Sequence, residues 1–88
     1  MNIHITAKNA FTRVKEVDLL TEFKEGENVD HIHKILSAAF PDCFVNFDMG
    51  ERGFIAGQPH NMVADERSLY AGLISWEDYV AKWYSNLA

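Results

Sequence analysis

Asp30, His31 and His33 stand close together in the chain, and Cys43 and His60 lie further along. From these residue types a metal site or a thiol nucleophile would be built. Two histidines two residues apart on a helix point about 200° away from each other, so they do not clamp one ion. Metal-binding helices space their ligands four apart for that reason. The plainer expectation places both histidines on the solvated side of a helix, opposite Ile32 and Leu36. A pairing of Cys43 with His31, His33 or His60 would make a nucleophile. Cys43, however, alternates in phase with Val45 and Phe47, which predicts a small apolar residue in the core. A reactive thiol wants a basic, partly exposed setting instead. Gly50-Glu51-Arg52-Gly53 lacks the following Lys-Ser or Lys-Thr of a phosphate loop and reads as a hairpin turn. No catalytic residue, metal site or cofactor is therefore assigned.

Two other groups suit binding rather than catalysis. Glu16, Asp18, Glu22, Glu25, Glu27 and Asp30 form the densest acidic run, tempered by Lys15 and Lys24. Glu22, Glu25, Glu27 and Asp30 would make a negative ridge able to occupy a basic groove. More plainly, they are the outside of a strand and the first turn of a helix, where negative charge suits the helix dipole. Trp76, Tyr79, Val80, Trp83, Tyr84 and Leu87 fall at spacings 0, 3, 4, 7, 8 and 11, a helical stripe. Packing explains most such stripes. Two Trp and two Tyr on one short helix are also the side chains enriched at interface hot spots, so Tyr79, Trp83 and Tyr84 are the second candidate contact. Trp76 and Val80 are expected to face the core, with the other rings passing its edge.

The elements that position these residues follow from periodicity. Residues 2–7 alternate as a half-buried strand. The stretch 9–24 is ambiguous. Val17, Leu19, Thr21 and Phe23 alternate with acids and favour a strand over 14–23, whereas Asn9 as a cap before Phe11, Val14 and Val17 reads as a helix. Asn28 is a plausible N-cap for a helix over 29–40, whose stripe is Val29, Ile32, Ile35, Leu36, Ala39 and Phe40 and which Pro41 ends. Strands at 43–48 and 53–56 make a hairpin around the two glycines, and 57–61 reads as a loop. Asp65 can cap a helix over 65–72, ended by Gly72. Ser75 with Asp78 is an acidic capping box for a helix over 76–87, Ile74 and Tyr79 suit a hydrophobic staple, and Asp78 can pair with Lys82 one turn on. The fold class is α+β: a small antiparallel sheet packed by the helix at 29–40 and the two C-terminal helices.

Eighty-eight residues, 48% of them hydrophobic, make a single domain over 1–88 with an adequate core. A stability of roughly 5 kcal/mol or a little more is expected at this size. Thirteen acids against eight bases give a net charge of −5. That charge argues against direct nucleic-acid binding and against anionic membrane surfaces, but permits a protein partner with a basic surface. One cysteine excludes an internal disulfide, and Met1-Asn2-Ile3-His4 has no leader pattern, so a cytoplasmic location is expected.

The strand Met1 to Lys8, the segment Ala39-Phe40-Pro41-Asp42 and the following Val45 and Phe47 resemble the small DNA-damage-inducible proteins that modulate RecA filaments. The chain departs from them in its extra segment 9–25 and in a final helix that is aromatic where theirs is acidic. Gly72 to Tyr79 is similar to a helix–turn–helix pattern that ends many unrelated bacterial and phage proteins. Neither match is long enough to assign a family. The expected function is a non-enzymatic regulator or inhibitor that occupies a partner's surface, monomeric or homodimeric, of the kind phages and mobile elements direct at host nucleic-acid machinery. An assembly subunit associating through the aromatic helix is the alternative, and a metal- or thiol-dependent enzyme stands behind both.

Overall fold

Asn9 decides how the chain first reverses. In the computed structural model, which describes residues 1–84, its side-chain oxygen accepts from the backbone N–H groups of Phe11 (2.8 Å) and Thr12 (3.0 Å). Such a contact can begin a helix or a turn. Here the Asn9 N–H donates to the Val14 carbonyl at 2.9 Å and Arg13 takes a left-handed φ of 64°, which closes a β-hairpin. The ambiguous stretch is thus a strand: β1 covers Asn2–Asn9 and β2 covers Lys15–Glu22.

The helix α1, Val29–Ala39, starts where Asn28 accepts from the His31 N–H at 3.1 Å. It stops one residue short of the expected end, at the Phe40 cap before Pro41. β3 (Cys43–Asp48) and β4 (Phe54–Gly57) follow as the expected hairpin. Its reversal needs left-handed backbone at Gly50 and Gly53, with φ of 64° and 91°. The four strands form one antiparallel sheet in the order β2-β1-β3-β4, so the fold is α+β.

Period two sorts the strands into faces. Ile3, Ile5 and Ala7 of β1 lie beside Cys43, Val45 and Phe47 of β3, all at 5% exposure or less. Val29, Ile32, Leu36 and Phe40 lie against them, so α1 covers this face. His33 belongs to the same layer. It is 8% exposed, its Nε2 lies 2.8 Å from the Val45 carbonyl, and its ring meets Phe47 edge-on at 5.1 Å. This corrects the expectation of a solvated His33; His31 is exposed as expected. Gly57 makes room for that imidazole, since a Cβ there would stand 2.9 Å from His33 Cε1. The opposite face carries His4, Thr6, Asp18, Leu20, Asn46, Asp48 and Phe54, with Leu20 and Phe54 each 70% exposed.

The helix expected at 65–72 is longer and begins earlier: α2 runs His60–Tyr70, with Pro59 at its N-cap. Proline's fixed φ suits a helix start without any side-chain cap. His60 and Asn61 are therefore helical rather than loop, and Asp65 lies in the second turn. The last described helix, α3, is Trp76–Tyr84; the expected continuation to 87, with Leu87, lies outside the described residues. These two helices do not cover the sheet face. They gather a second cluster of Ala10, Met62, Tyr79 and Trp83 at the end of β1, with Phe11, Leu69, Ile74 and Val80 around it. Main-chain bonds join the two bodies there: Ala10 N–H to Asp42 at 2.8 Å and Asn61 N–H to Pro41 at 2.9 Å.

Candidate functional site

The connection between α2 and α3 sets which aromatic residues reach solvent. Gly72, at φ 76°, lets the Leu73 N–H return to Ser68 at 2.9 Å and its own N–H to Leu69 at 3.1 Å. That is a Schellman stop, in which glycine's left-handed backbone satisfies the last carbonyls of α2. Three residues after Gly72 the Ser75 hydroxyl accepts from the Asp78 N–H at 3.1 Å and starts α3, as the capping pattern predicts. So short a reversal leaves Tyr70, Leu73 and Trp76 at the tip of a helical hairpin. They are 82%, 77% and 62% exposed.

Inside the hairpin the aromatic stripe is used differently from the expectation. Tyr79 and Trp83 are buried at 5% and 8%, whereas Trp76 is the exposed ring. The expected assignment is thereby reversed for Trp76, Tyr79 and Trp83, while Val80 packs against the buried cluster and Tyr84, 39% exposed, passes its edge as expected. Trp83 packs on Phe11 with the rings tilted and 4.9 Å apart, and its indole N–H donates to Asp65 at 2.9 Å. Lys82, expected to pair with Asp78, instead reaches the same Asp65 carboxylate at 2.8 Å and lies 5.3 Å over the Trp83 ring. The Lys82 ammonium, and secondly the Trp83 N–H, hold the Asp65 carboxyl below the usual range against the opposing effect of its partial burial.

On the outer side, Trp76 stacks against Tyr79 at 6.0 Å, and Tyr84 leans on Tyr79 at 6.1 Å. Tyr70, Trp76, Tyr79 and Tyr84 line one open recess of about 210 Å³ together with Gln58, Glu66 and Leu69. Burial raises the Tyr79 phenol pKa, and the neighbouring Tyr84 and Glu66 add to the rise, so the ring stays neutral. Of the three aromatic candidates read from the sequence, Tyr79 and Tyr84 line the recess, while Trp83 lies outside it in the buried cluster. Tyr70, Trp76 and Glu66 were not among them. The signal that points to them is the pairing of a glycine stop with a serine start four residues apart at most, which marks a hairpin tip.

The acidic candidates are more dispersed. Glu25 and Glu27 line an open recess with Lys24, Arg52 and Met1. There the Met1 amino group donates to the Phe23 carbonyl at 3.0 Å, and Glu27 accepts from the Lys24 backbone N–H at 3.1 Å. Glu22 ends β2 opposite Asn2, and Asp30 sits in the first turn of α1. The four are exposed, but cations interleave with two of them rather than leaving a continuous negative ridge.

Cys43 is 1% exposed, and its thiol donates to the Glu16 carboxylate at 2.6 Å. Burial first, and Glu16 second, push that thiol up to about 12, which keeps it protonated as the donor to Glu16 at neutral pH. His4 and Asp18 form a close pair at 2.6 Å on the open sheet face, both about half exposed. Hydrogen bonding to His4 lowers the Asp18 pKa. Among the described residues no cluster of three His, Cys, Asp or Glu could hold a metal ion, and no helix is long and apolar enough to cross a membrane. Compared with protein-family models, with curated proteins and with solved structures, the chain finds no match in any of the three.

Proposed function

We propose that this chain is a non-enzymatic protein-binding module, a regulator or inhibitor that works by covering a partner's surface through the outer side of α2 and α3. The observation that carries the reading is the exposure of Tyr70, Leu73 and Trp76 at one hairpin tip, contiguous with Tyr84. Large aromatic side chains left in water cost solvation unless something covers them, and they are the residues on which interface energy concentrates. The net charge of −5 adds long-range attraction toward a basic partner, which acts chiefly on the association rate.

Capture from native-host extract, with identification by mass spectrometry, supplies the partner. The Tyr70→Ala/Trp76→Ala double variant should then bind it at least about thirtyfold more weakly, the scale of a hot-spot loss. Charge reversal of Glu22, Glu25 and Glu27 should change mainly salt sensitivity. Undiminished binding by the aromatic double variant would remove the surface from consideration. The same rings could instead be covered by a second copy of the chain, the assembly reading. Light scattering over a dilution series that gives a dimer for the native chain and a monomer for the double variant would favour it.

A further inference from the structure

Among the described residues, one site holds a cation against an aromatic ring and a carboxylate, and a second has the rings and the carboxylate without the cation. In the first, the Lys82 ammonium lies over Trp83 and against Asp65. In the second, Tyr70, Trp76, Tyr79 and Tyr84 surround the outer recess, Glu66 is the charged residue on its wall, and none of the described residues lining it is cationic. Aromatic faces carry negative quadrupole potential, and several rings around one volume with a carboxylate at the rim make a receptor for an organic cation. An anionic guest is disfavoured in such a volume by the same field and by Glu66. We propose that this recess receives the side-chain ammonium of a lysine on the partner protein, methylated lysine included. The inference rests on the protein-binding reading and adds the chemistry of the group recognised.

The ammonium suits the recess better than an apolar side chain for a physical reason. Trp76 and Tyr70 are far enough into solvent that an aliphatic guest would be only half covered. A cation keeps part of its hydration there while its carbon-bound hydrogens meet the rings. Tyr79 lies beneath Trp76, which stacks on it, with Tyr84 tilted against it, so the floor brings no competing charge and the rings left open to a guest are those of Tyr70, Trp76 and Tyr84.

The test uses the whole chain, ¹⁵N-labelled, titrated with N-acetyl-trimethyllysine amide and, separately, with its neutral isostere in which carbon replaces the nitrogen. The cation should move the Trp76 indole N–H and, read in every variant, the backbone amide resonances of α2 and α3 saturably in the millimolar range, with the isostere at least about fivefold weaker. Trp76→Ala and Tyr70→Ala should abolish the shift, and Glu66→Gln should weaken binding by about two- to fivefold. Trp76→Leu, which keeps apolar bulk, should fail like Trp76→Ala. Unchanged unfolding midpoints show that these exposed substitutions leave the fold intact. Equal response to the isostere, or a shift that survives in Trp76→Ala, overturns the proposal. A silent probe with partner capture that still depends on Trp76 removes the ammonium inference alone. Probe binding without any captured partner removes the protein-binding reading alone.

Discussion

Around Phe47 the neighbours are nearly all apolar: Ile3, Ile5 and Val45 share its layer, and Phe23 meets it edge-on at 6.0 Å. Around Trp83 the packing is part apolar and part polar, with Phe11 on one face, Lys82 over the ring and Asp65 on the indole N–H. The first environment is stabilised by burial, which is non-directional and proportional to area. The second depends on a few oriented contacts around four buried residues. The second leaves Tyr70 and Trp76 in solvent around one recess beside its core, whereas the sheet leaves Phe54 on the face turned away from its core. The difference teaches that the sheet and α1 supply rigidity, while the helix pair, with the smaller core, spends its aromatic residues on a surface.

That contrast can be broken from either side. The largest effect is expected at Phe47→Ala, which should cost about 3–5 kcal/mol, comparable with the whole stability of a domain this size. Denaturant unfolding followed by circular dichroism and by tryptophan fluorescence should then show both bodies lost together, because both Trp residues report on the helix pair. A sheet that melts while the fluorescence stays native would mean that the helix pair stands alone. Trp83→Phe should cost about 2 kcal/mol, from the lost bond to a charged acceptor and the smaller ring. Amide exchange should accelerate in α2 and α3 more than in β1 and β3; uniform acceleration would erase the distinction between the regions.

The smallest effect is on pH. Asp65 has a lower pKa in the folded protein than in the unfolded chain, so its stabilising contribution is full above the unfolded value, near 4, and is lost as pH falls through the folded value. Acidification below about pH 4 should therefore loosen α2–α3 in the native protein, and Asp65→Asn should flatten that dependence. Hydrogen exchange or fluorescence anisotropy across pH 2.5–6 would read it, in the order of the ordinary carboxylate range. An identical acid profile in Asp65→Asn would assign the loosening to other carboxylates.

Much of this architecture is legible in the sequence because local signals agree there. Asn28 before a regular stripe and Pro41 after it leave little choice for α1, and two glycines between alternating runs determine the β3–β4 hairpin. The start of α2 was hidden because its first turn, His60-Asn61-Met62-Val63, lacks a capping side chain, while Asp65 resembles one. Asp65 proves instead to be a tertiary partner of Trp83 and Lys82, a relationship between residues 18 apart that no local pattern carries. The inward side of α3 was also illegible. A stripe holding Trp76, Tyr79, Val80, Trp83 and Tyr84 is wider than the 100° or so that packing uses, so it does not say which rings are core. His33 did leave a trace. It stands four after Val29 and three before Leu36, inside the apolar stripe, which is where a buried residue belongs.

His33 and Gly57 together have a consequence for how this sequence can change. The imidazole fills the space where a side chain on β4 would be, and its Nε2 occupies the Val45 carbonyl. Neither position is free to drift alone: a larger residue at 57 meets the ring, and a smaller one at 33 leaves a void and an unsatisfied acceptor. Substitution is open to the pair as a unit, an aliphatic residue at 33 with alanine at 57. In any set of descendants of this chain the two columns should vary together, although 24 residues separate them.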